Sequence, residues 1–421
     1  MSKQRNIVIL GASVSGVLSA HYILKHILPA LKAKHDAKYH VYLVSPSSDF
    51  FFRIASPRTA ASTALLPVEK IFFDLNEGFK KYSTSDFTFI QGTATGLDTN
   101  ARSVSFIRNS YLGDESLKYH ALIVATGSHT PDPAHSLHTD SQATVDAIKS
   151  MNIKVSSAKD IIVVGGGPTS VESAGELGEL LNGKPSWFST PPPKVNITLI
   201  TAANQLLPSL HPTIGKRAEN KLKKLGVHVL YNTRVVDVST ASSKNGRTVV
   251  TLAKGEKLET DLYIPTHGVL TNSSFLPETL LNSSGYLITN AETLRVDDAG
   301  SRVYSIGDVA SYSRNNILDI YDALPPLMVN LKRDLLSYNP QYPNEKPSGK
   351  DRVFKPQTKE TMIVPIGSAG GVGAIFGFSL PSFLVWLAKS RDFMISMGPP
   401  SLISGKKVAK EYKWTAEEAV A

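Results

Sequence analysis

The sequence predicts an α/β fold on three observations: two Rossmann-like dinucleotide-binding domains followed by a small C-terminal α+β domain. GASVSG stands at residues 11–16, GGGPTS at residues 165–170, and SIGDVA at residues 305–310. The first two each follow four apolar residues, at 7–10 and 161–164, and each runs on into a helix-like stretch. A buried parallel strand, a tight turn and a helix N-terminus together hold a pyrophosphate. The turn brings backbone N–H groups and the positive helix end to the phosphate charge. Each turn departs from GxGxxG once: Ser13 stands in place of the middle glycine, and Ser170 in place of the last. Serine is small enough for close backbone approach, and a repeated strand–turn–helix context outweighs the reading of either turn as an ordinary one. A side chain on Gly11 would take the space that a pyrophosphate needs.

The remaining elements follow in order. After the first unit comes an apolar strand at residues 41–44, ending at Ser45, then strands at 87–91 and 103–107. The run at 121–127 closes in the small-residue turn of Thr126 and Gly127. The pattern restarts at Asp160, with a helix over 171–181, a proline-rich surface loop PSWFSTPPPK at 185–194, and strands at 195–200, 227–231, 248–252 and 261–265. SIGDVA then returns the chain to the first domain. These signals divide the chain into a first part of one dinucleotide domain (1–134), an inserted second one (135–290), the return (291–345) and a C-terminal domain (346–421). In the last, the glycines of 366–378 read as a strand pair with tight turns rather than a third phosphate loop, because no helix start follows Gly373. SFLVWLAKSRDFMIS, at 382–396, reads as a helix.

Composition narrows the function. With 421 residues, 42% of them hydrophobic, the chain can bury several cores. No apolar run reaches the length of a membrane-spanning helix. MSKQRN leads straight into a strand, which predicts no secretory or transit segment, and Ser2 in place of glycine predicts no N-myristoylation. The cysteine count is zero, so a CxxC relay and cysteine-held iron–sulfur clusters are excluded. A net charge of +9 suits phosphate-bearing cofactors, anionic membranes or nucleic acid, although solvated faces explain most of it.

The segments IVILGASVSG, ATGS, IVVGGGPTSVESAGEL, SIGDVA and LAKSRDFMIS resemble the apoptosis-inducing-factor-like flavoproteins. Within them the chain is most similar to the ferroptosis suppressor subgroup, NAD(P)H:quinone oxidoreductases related to type II NADH dehydrogenases. The resemblance implies FAD, with NADH or NADPH as co-substrate and a quinone as acceptor. It implies that Gly11, Ser13 and Gly16 cradle the FAD pyrophosphate, with Arg58, Thr126 and Gly127 at the cofactor. Ala94 would meet adenine through its backbone, and Asp308 would accept a ribitol hydroxyl. Asp308 also suits a helix N-cap. Ser45 replaces the acid that would grip the FAD ribose. Gly165, Gly167 and Thr169 would form the second turn. Thr201 ends the next strand where an acid would select NADH, and no arginine follows in TAANQLL, so either coenzyme is expected.

Glu172 lies early in the second helix, where the resemblance places an acid at the donor side of the flavin; pairing with the positive helix end is the plainer role. Lys389 and Met394 match positions lining the flavin and quinone site, against the plainer reading of an exposed lysine at a helix end. Phe383, Leu384 and Trp386 would be core packing or the wall of a quinone tunnel. The expected setting is cytoplasmic, with the basic, partly apolar residues 401–414 touching a membrane or lipid-droplet surface, and a monomer or homodimer. The alternatives are another acceptor, a ferredoxin-like protein or monodehydroascorbate, or a non-catalytic nucleic-acid-binding protein of the apoptosis-inducing-factor type. Nucleic acid is not the expected partner, since charge alone argues for it.

Overall fold

A computed structural model describes residues 4–34, 37–109, 113–185, 192–239 and 246–420. Most of the PSWFSTPPPK loop, residues 186–191, lies outside the described residues. The strand Arg5–Leu10 lies inside a seven-stranded sheet, flanked by Tyr39–Ser45 on one side and Ala121–Val124 on the other, both parallel to it. Ile7, Val8, Ile9 and Leu10 are at most 1% exposed, so both faces are covered; an unbroken apolar run is what such a strand requires. Val303–Ser305 adds at one edge, beside Ala121–Val124, and Phe87–Asp98 beside Tyr39–Ser45. Phe87–Asp98 is longer than its sequence signal. Its second half leaves the parallel sheet and pairs antiparallel with Ser103–Arg108, with an irregularity between Ala94 and Gly96.

The second unit repeats the plan. Asp160–Val164 lies between Asn196–Ile200 and Leu262–Pro265 in a parallel sheet completed by Val227–Leu230. Three antiparallel strands, Val235–Ser239, Thr248–Leu252 and Lys257–Thr260, cover one side. Two chain crossings join the units, Ser128–His129 pairing antiparallel with Leu270–Thr271. Beside them the Thr126 hydroxyl donates to the Asn272 carbonyl at 2.7 Å, and the Asn272 amide donates back to the Thr126 carbonyl at 2.8 Å.

The glycine-rich C-terminal stretch forms antiparallel strands, Met362–Pro365 with Gly371–Ile375 and then Phe378–Ser379. The helix that follows stops earlier than expected. Ser382–Val385 continues through a π-helical turn, Trp386–Ser390, but Phe393 and Met394 take positive φ values of 52° and 66°. The Asp392 carboxylate accepts the N–H groups of Met394 (3.0 Å) and Ser396 (3.2 Å), offering the backbone an alternative to the helix ladder.

The basic tail is anchored on the first unit through its apolar side chains. The apolar residues of 401–414 pack against the helix Val14–Tyr22, while Lys406, Lys407, Lys410 and Lys413 stay exposed. Tyr412 stacks on Tyr22 with ring centres 4.7 Å apart and donates its N–H to the Tyr22 hydroxyl at 2.8 Å. His21 meets the Ile403 carbonyl at 2.8 Å, and Val408 is buried.

Candidate functional site

The first turn is built around two positions that refuse a side chain. Gly11 has φ +98°, and a Cβ there would lie 2.3 Å from the Ala125 carbonyl oxygen; one on Gly16 would lie 1.8 Å from the Gly11 oxygen. The obstacle at Gly11 is therefore the neighbouring strand's backbone and not the pyrophosphate space assigned to it from sequence. Gly16 lets the helix Val14–Tyr22 sit directly on the turn. Ser13 is the N-cap of that helix, exposed and with its hydroxyl making no cap bond, so the helix N-terminus is open to a ligand.

Asp308 reaches the same end of the sheet. Gly307, φ +88°, packs against Ser15, where its Cβ would be 2.9 Å from the hydroxyl. No helix begins after Asp308: the next one is Ile317–Leu336, capped by Asn316, so the N-cap reading of Asp308 falls. Its carboxylate instead accepts from the Ser128 hydroxyl at 2.8 Å. Arg53, which carries no sequence signal, donates to the Ser128 carbonyl at 3.3 Å and so joins this group. Gly127, φ +65°, has nothing within 4 Å of a built Cβ, leaving room beside Asp308 and Ser128. An open helix end that donates, a carboxylate that accepts and a glycine facing free space together fit FAD. Ser45 closes its strand, buried, with the following Pro46 carbonyl held by the side chains of Gln91 (3.3 Å) and Asn109 (2.8 Å). Ala94 is half-buried at the irregularity in Phe87–Asp98.

The second turn repeats these devices. Gly165 has φ +140°, and a Cβ there would meet the Ser170 hydroxyl at 2.3 Å. That hydroxyl accepts from Thr266 Oγ1 at 2.8 Å, so the serine in the last glycine position ties the turn to the neighbouring strand. Gly167 caps the helix Pro168–Asn182 and faces open space, with Thr169 half-buried in the first turn. Thr201 is buried at the end of Asn196–Ile200. A cleft of about 390 Å³ opens here, lined by the glycines, Thr201 and, unforeseen in the sequence, Arg234.

Between the two turns lies a buried four-charge cluster. Glu172 and Glu176 are one turn apart on the helix Pro168–Asn182, and each finds a cation from a distant part of the chain. Lys389 Nζ donates to Glu172 Oε1 at 2.6 Å and reaches the Ile363 carbonyl at 3.3 Å. Arg58 makes a two-pronged contact with Glu176, Nε to Oε2 at 2.8 Å and Nη2 to Oε1 at 2.9 Å. Its Nη1 donates to the Ser390 carbonyl at 2.8 Å, so each guanidinium nitrogen is engaged within the protein. The Phe393 ring, fully buried, lies 4.5 Å from the Arg58 guanidinium and 5.7 Å from Lys389 Nζ. Met394 follows it, half-buried.

Lys389 is therefore not an exposed lysine at a helix end, and the donor-side and acceptor-side groups of the sequence reading touch. Burial pushes the Glu172 carboxyl up to about 6, against the pull of the Lys389 ammonium. Burial likewise raises Glu176, against the Arg58 guanidinium. Phe383 (66% exposed), Leu384 and Trp386 are neither core nor an enclosed wall, since they face outward.

The pyridine nucleotide-disulphide oxidoreductase family model matches residues 3–325. The chain is 41% identical over 418 residues to the oxidoreductase phnG of Penicillium herquei, covering 97% of this chain and 98% of that one. It is 29% identical over 401 residues to ferroptosis suppressor protein 1 of Homo sapiens, covering 93% and 94%, which bears out the resemblance read from the motifs. Its fold is similar to that of the sulfide:quinone oxidoreductase from Aquifex aeolicus, with a TM-score of 0.68 at 15% identity over 95% of this chain and 92% of that one. The chain therefore belongs to the pyridine nucleotide-disulphide oxidoreductase family, NAD(P)H-dependent oxidoreductases that use FAD, although it has no cysteine for the disulphide of the family's name.

Proposed function

We propose that the chain is a two-electron NAD(P)H:quinone reductase holding FAD noncovalently and working without a redox disulfide. The observation that carries the reading is the buried Glu172–Lys389 pair, set between the helix of the second turn and the C-terminal segment. Bound FAD supplies the exchange of an electron pair between nicotinamide and acceptor. The chain positions both dinucleotides at the two helix ends, excludes water from the charged cluster, and keeps a proton at Glu172 Oε1 or Lys389 Nζ. Quinone reduction consumes protons, and a carboxyl near 6 beside an ammonium can give one close to neutral pH. With no thiol in the chain, electrons leave directly for a small acceptor.

The test is a steady-state screen of NADH and NADPH against short-chain quinones, a ferredoxin-like protein, monodehydroascorbate and glutathione disulfide. Quinone turnover is expected, with none on the disulfide. As pH falls through about 6, Glu172 takes up a proton, and quinone turnover should rise; in Glu172→Gln that rise should vanish. A wild-type profile flat between pH 5 and 7, or one unchanged by the substitution, would remove Glu172 from the proton path.

Access to a membrane quinone belongs to the same proposal, through a different surface from the tail. No described helix is long and apolar enough to cross a membrane. Phe378 (77% exposed), Phe383, Trp386 and Leu387 instead form an outward apolar face on the C-terminal domain. Arg217 and Lys221 flank it, donating to Ser379 Oγ at 2.6 Å and Ser382 Oγ at 3.1 Å. Apolar side chains rimmed by cations suit an anionic lipid surface. Phe378→Glu with Leu387→Glu should abolish sedimentation with anionic vesicles while leaving turnover of dissolved short-chain quinone in place. Undiminished vesicle binding would rule this face out.

A further inference from the structure

The cleft over the second turn contains no acidic side chain but does contain an arginine. In a dinucleotide fold the pyrophosphate sits on the helix N-terminus and the adenosine ribose lies at the end of the next strand. A carboxylate there accepts the ribose 2′-hydroxyl and repels a 2′-phosphate. Here the strand Asn196–Ile200 runs into Thr201, Ala202 and Ala203. The Thr201 hydroxyl is turned inward: it accepts the Ala203 N–H at 3.2 Å and stands 2.4 Å from where a Cβ on Gly166 would be. No side chain from the strand end reaches for a ribose.

What flanks the strand end is the segment that follows Val227–Leu230. Thr233 donates its N–H to the Thr201 carbonyl at 2.9 Å, and Asn232 donates to the Ala203 carbonyl at 3.1 Å. These two bonds lay residues 232–234 beside the ribose position, and the Arg234 carbonyl is fixed in turn by the Ala253 N–H at 2.8 Å. Arg234 is exposed, and its guanidinium has no hydrogen-bond or ion-pair partner among the described residues. His267, the other titratable side chain of the cleft, is held below its ordinary value by burial. An unpaired guanidinium fork on a wall without carboxylates is the donor set that a phosphate monoester takes.

We propose that this cleft selects NADPH and that Arg234 receives the ribose 2′-phosphate. The inference rests on the cleft's being the nicotinamide-dinucleotide site, and its test does not depend on quinone chemistry. Titration calorimetry of the purified holoprotein with adenosine 2′,5′-bisphosphate and with 5′-AMP isolates the phosphate. The bisphosphate should bind at least about tenfold more tightly. Arg234→Gln should erase that margin, a loss of about tenfold to a hundredfold, while leaving 5′-AMP affinity unchanged. Ala202→Asp, which places an acid at the strand end, should weaken the bisphosphate and spare 5′-AMP. Equal affinity of the wild type for both probes would overturn the proposal and leave the dinucleotide site standing. Arg234→Gln weakening both probes alike would overturn it too. Failure of both probes to bind would remove the dinucleotide reading of the cleft itself.

Discussion

Gly16→Ala is expected to purify colourless and to stay so after incubation with FAD. Alanine is the best helix former, so at an ordinary helix position this change would stabilise. Here the added methyl would sit 1.8 Å from the Gly11 carbonyl oxygen and 2.9 Å from its carbon. Those are backbone atoms, and no flexible side chain can move aside for them. Gly11 cannot retreat either: its φ is +98° and the Ala125 carbonyl lies against it on the other side. Either the helix Val14–Tyr22 lifts from the sheet or the turn unwinds, and both outcomes scatter the N–H groups that would face a pyrophosphate. Overpacking a site this close costs about 1–3 kcal/mol or more, so a lowered melting temperature should accompany the missing absorbance. A yellow Gly16→Ala protein with wild-type absorbance would move FAD away from the first turn.

The second large effect is expected at Arg58. Removing the guanidinium in Arg58→Ala strands the Glu176 carboxylate, whose side chain is 3% exposed, without its partner. Breaking a buried pair from one side costs about 3–5 kcal/mol, because the remaining charge keeps its desolvation cost and loses its compensation. Ser390 would lose the donor to its carbonyl as well, loosening the turn that carries Lys389. A drop of several degrees in melting temperature should follow. The double variant Arg58→Met with Glu176→Met should recover most of it, since apolar side chains of similar volume replace a buried ion pair at little cost. A single variant as stable as the wild type, or a double variant no better than the single, would show that the pair is not what holds these elements together.

These two sites differ in how far the sequence revealed them. The glycine turns and their strands are local: four apolar residues, a turn and a helix start lie within about ten positions, so their pattern survives without tertiary information. The cation–carboxylate partners are not local. Lys389 meets Glu172 across 217 positions, and Arg58 meets Glu176 across 118, and nothing in the neighbourhood of either acid encodes its partner. Arg234 is non-local in the same way: no arginine stands in TAANQLL after the strand, and the one that lines the cleft comes from the segment after the next strand. The Asp308 N-cap reading failed because a short turn and a helix start look alike over three residues. The packing of the tail was not legible because a basic, partly apolar composition does not tell which face the fold covers; Tyr412 and Val408 pack on the first unit, and the exposed aromatics lie earlier in the chain.

The strand order of the large sheet also bears on how the chain is made. Val303–Ser305, which completes the parallel part of that sheet beside Ala121–Val124, is synthesised about 180 residues after its neighbour, with the whole second sheet in between. Asp160–Val164 through Leu262–Pro265 have all their parallel partners within one contiguous stretch. On a ribosome delivering the chain from its N-terminus, the inserted unit can close its sheet while the first still waits for an edge strand. The Gly307–Asp308 turn arrives with that strand, so the residues of the first turn's surroundings are all in hand only after the second unit has been synthesised. A premature stop before residue 303 would yield a product with every strand of the second parallel sheet and with an open edge at Ala121–Val124 in the first.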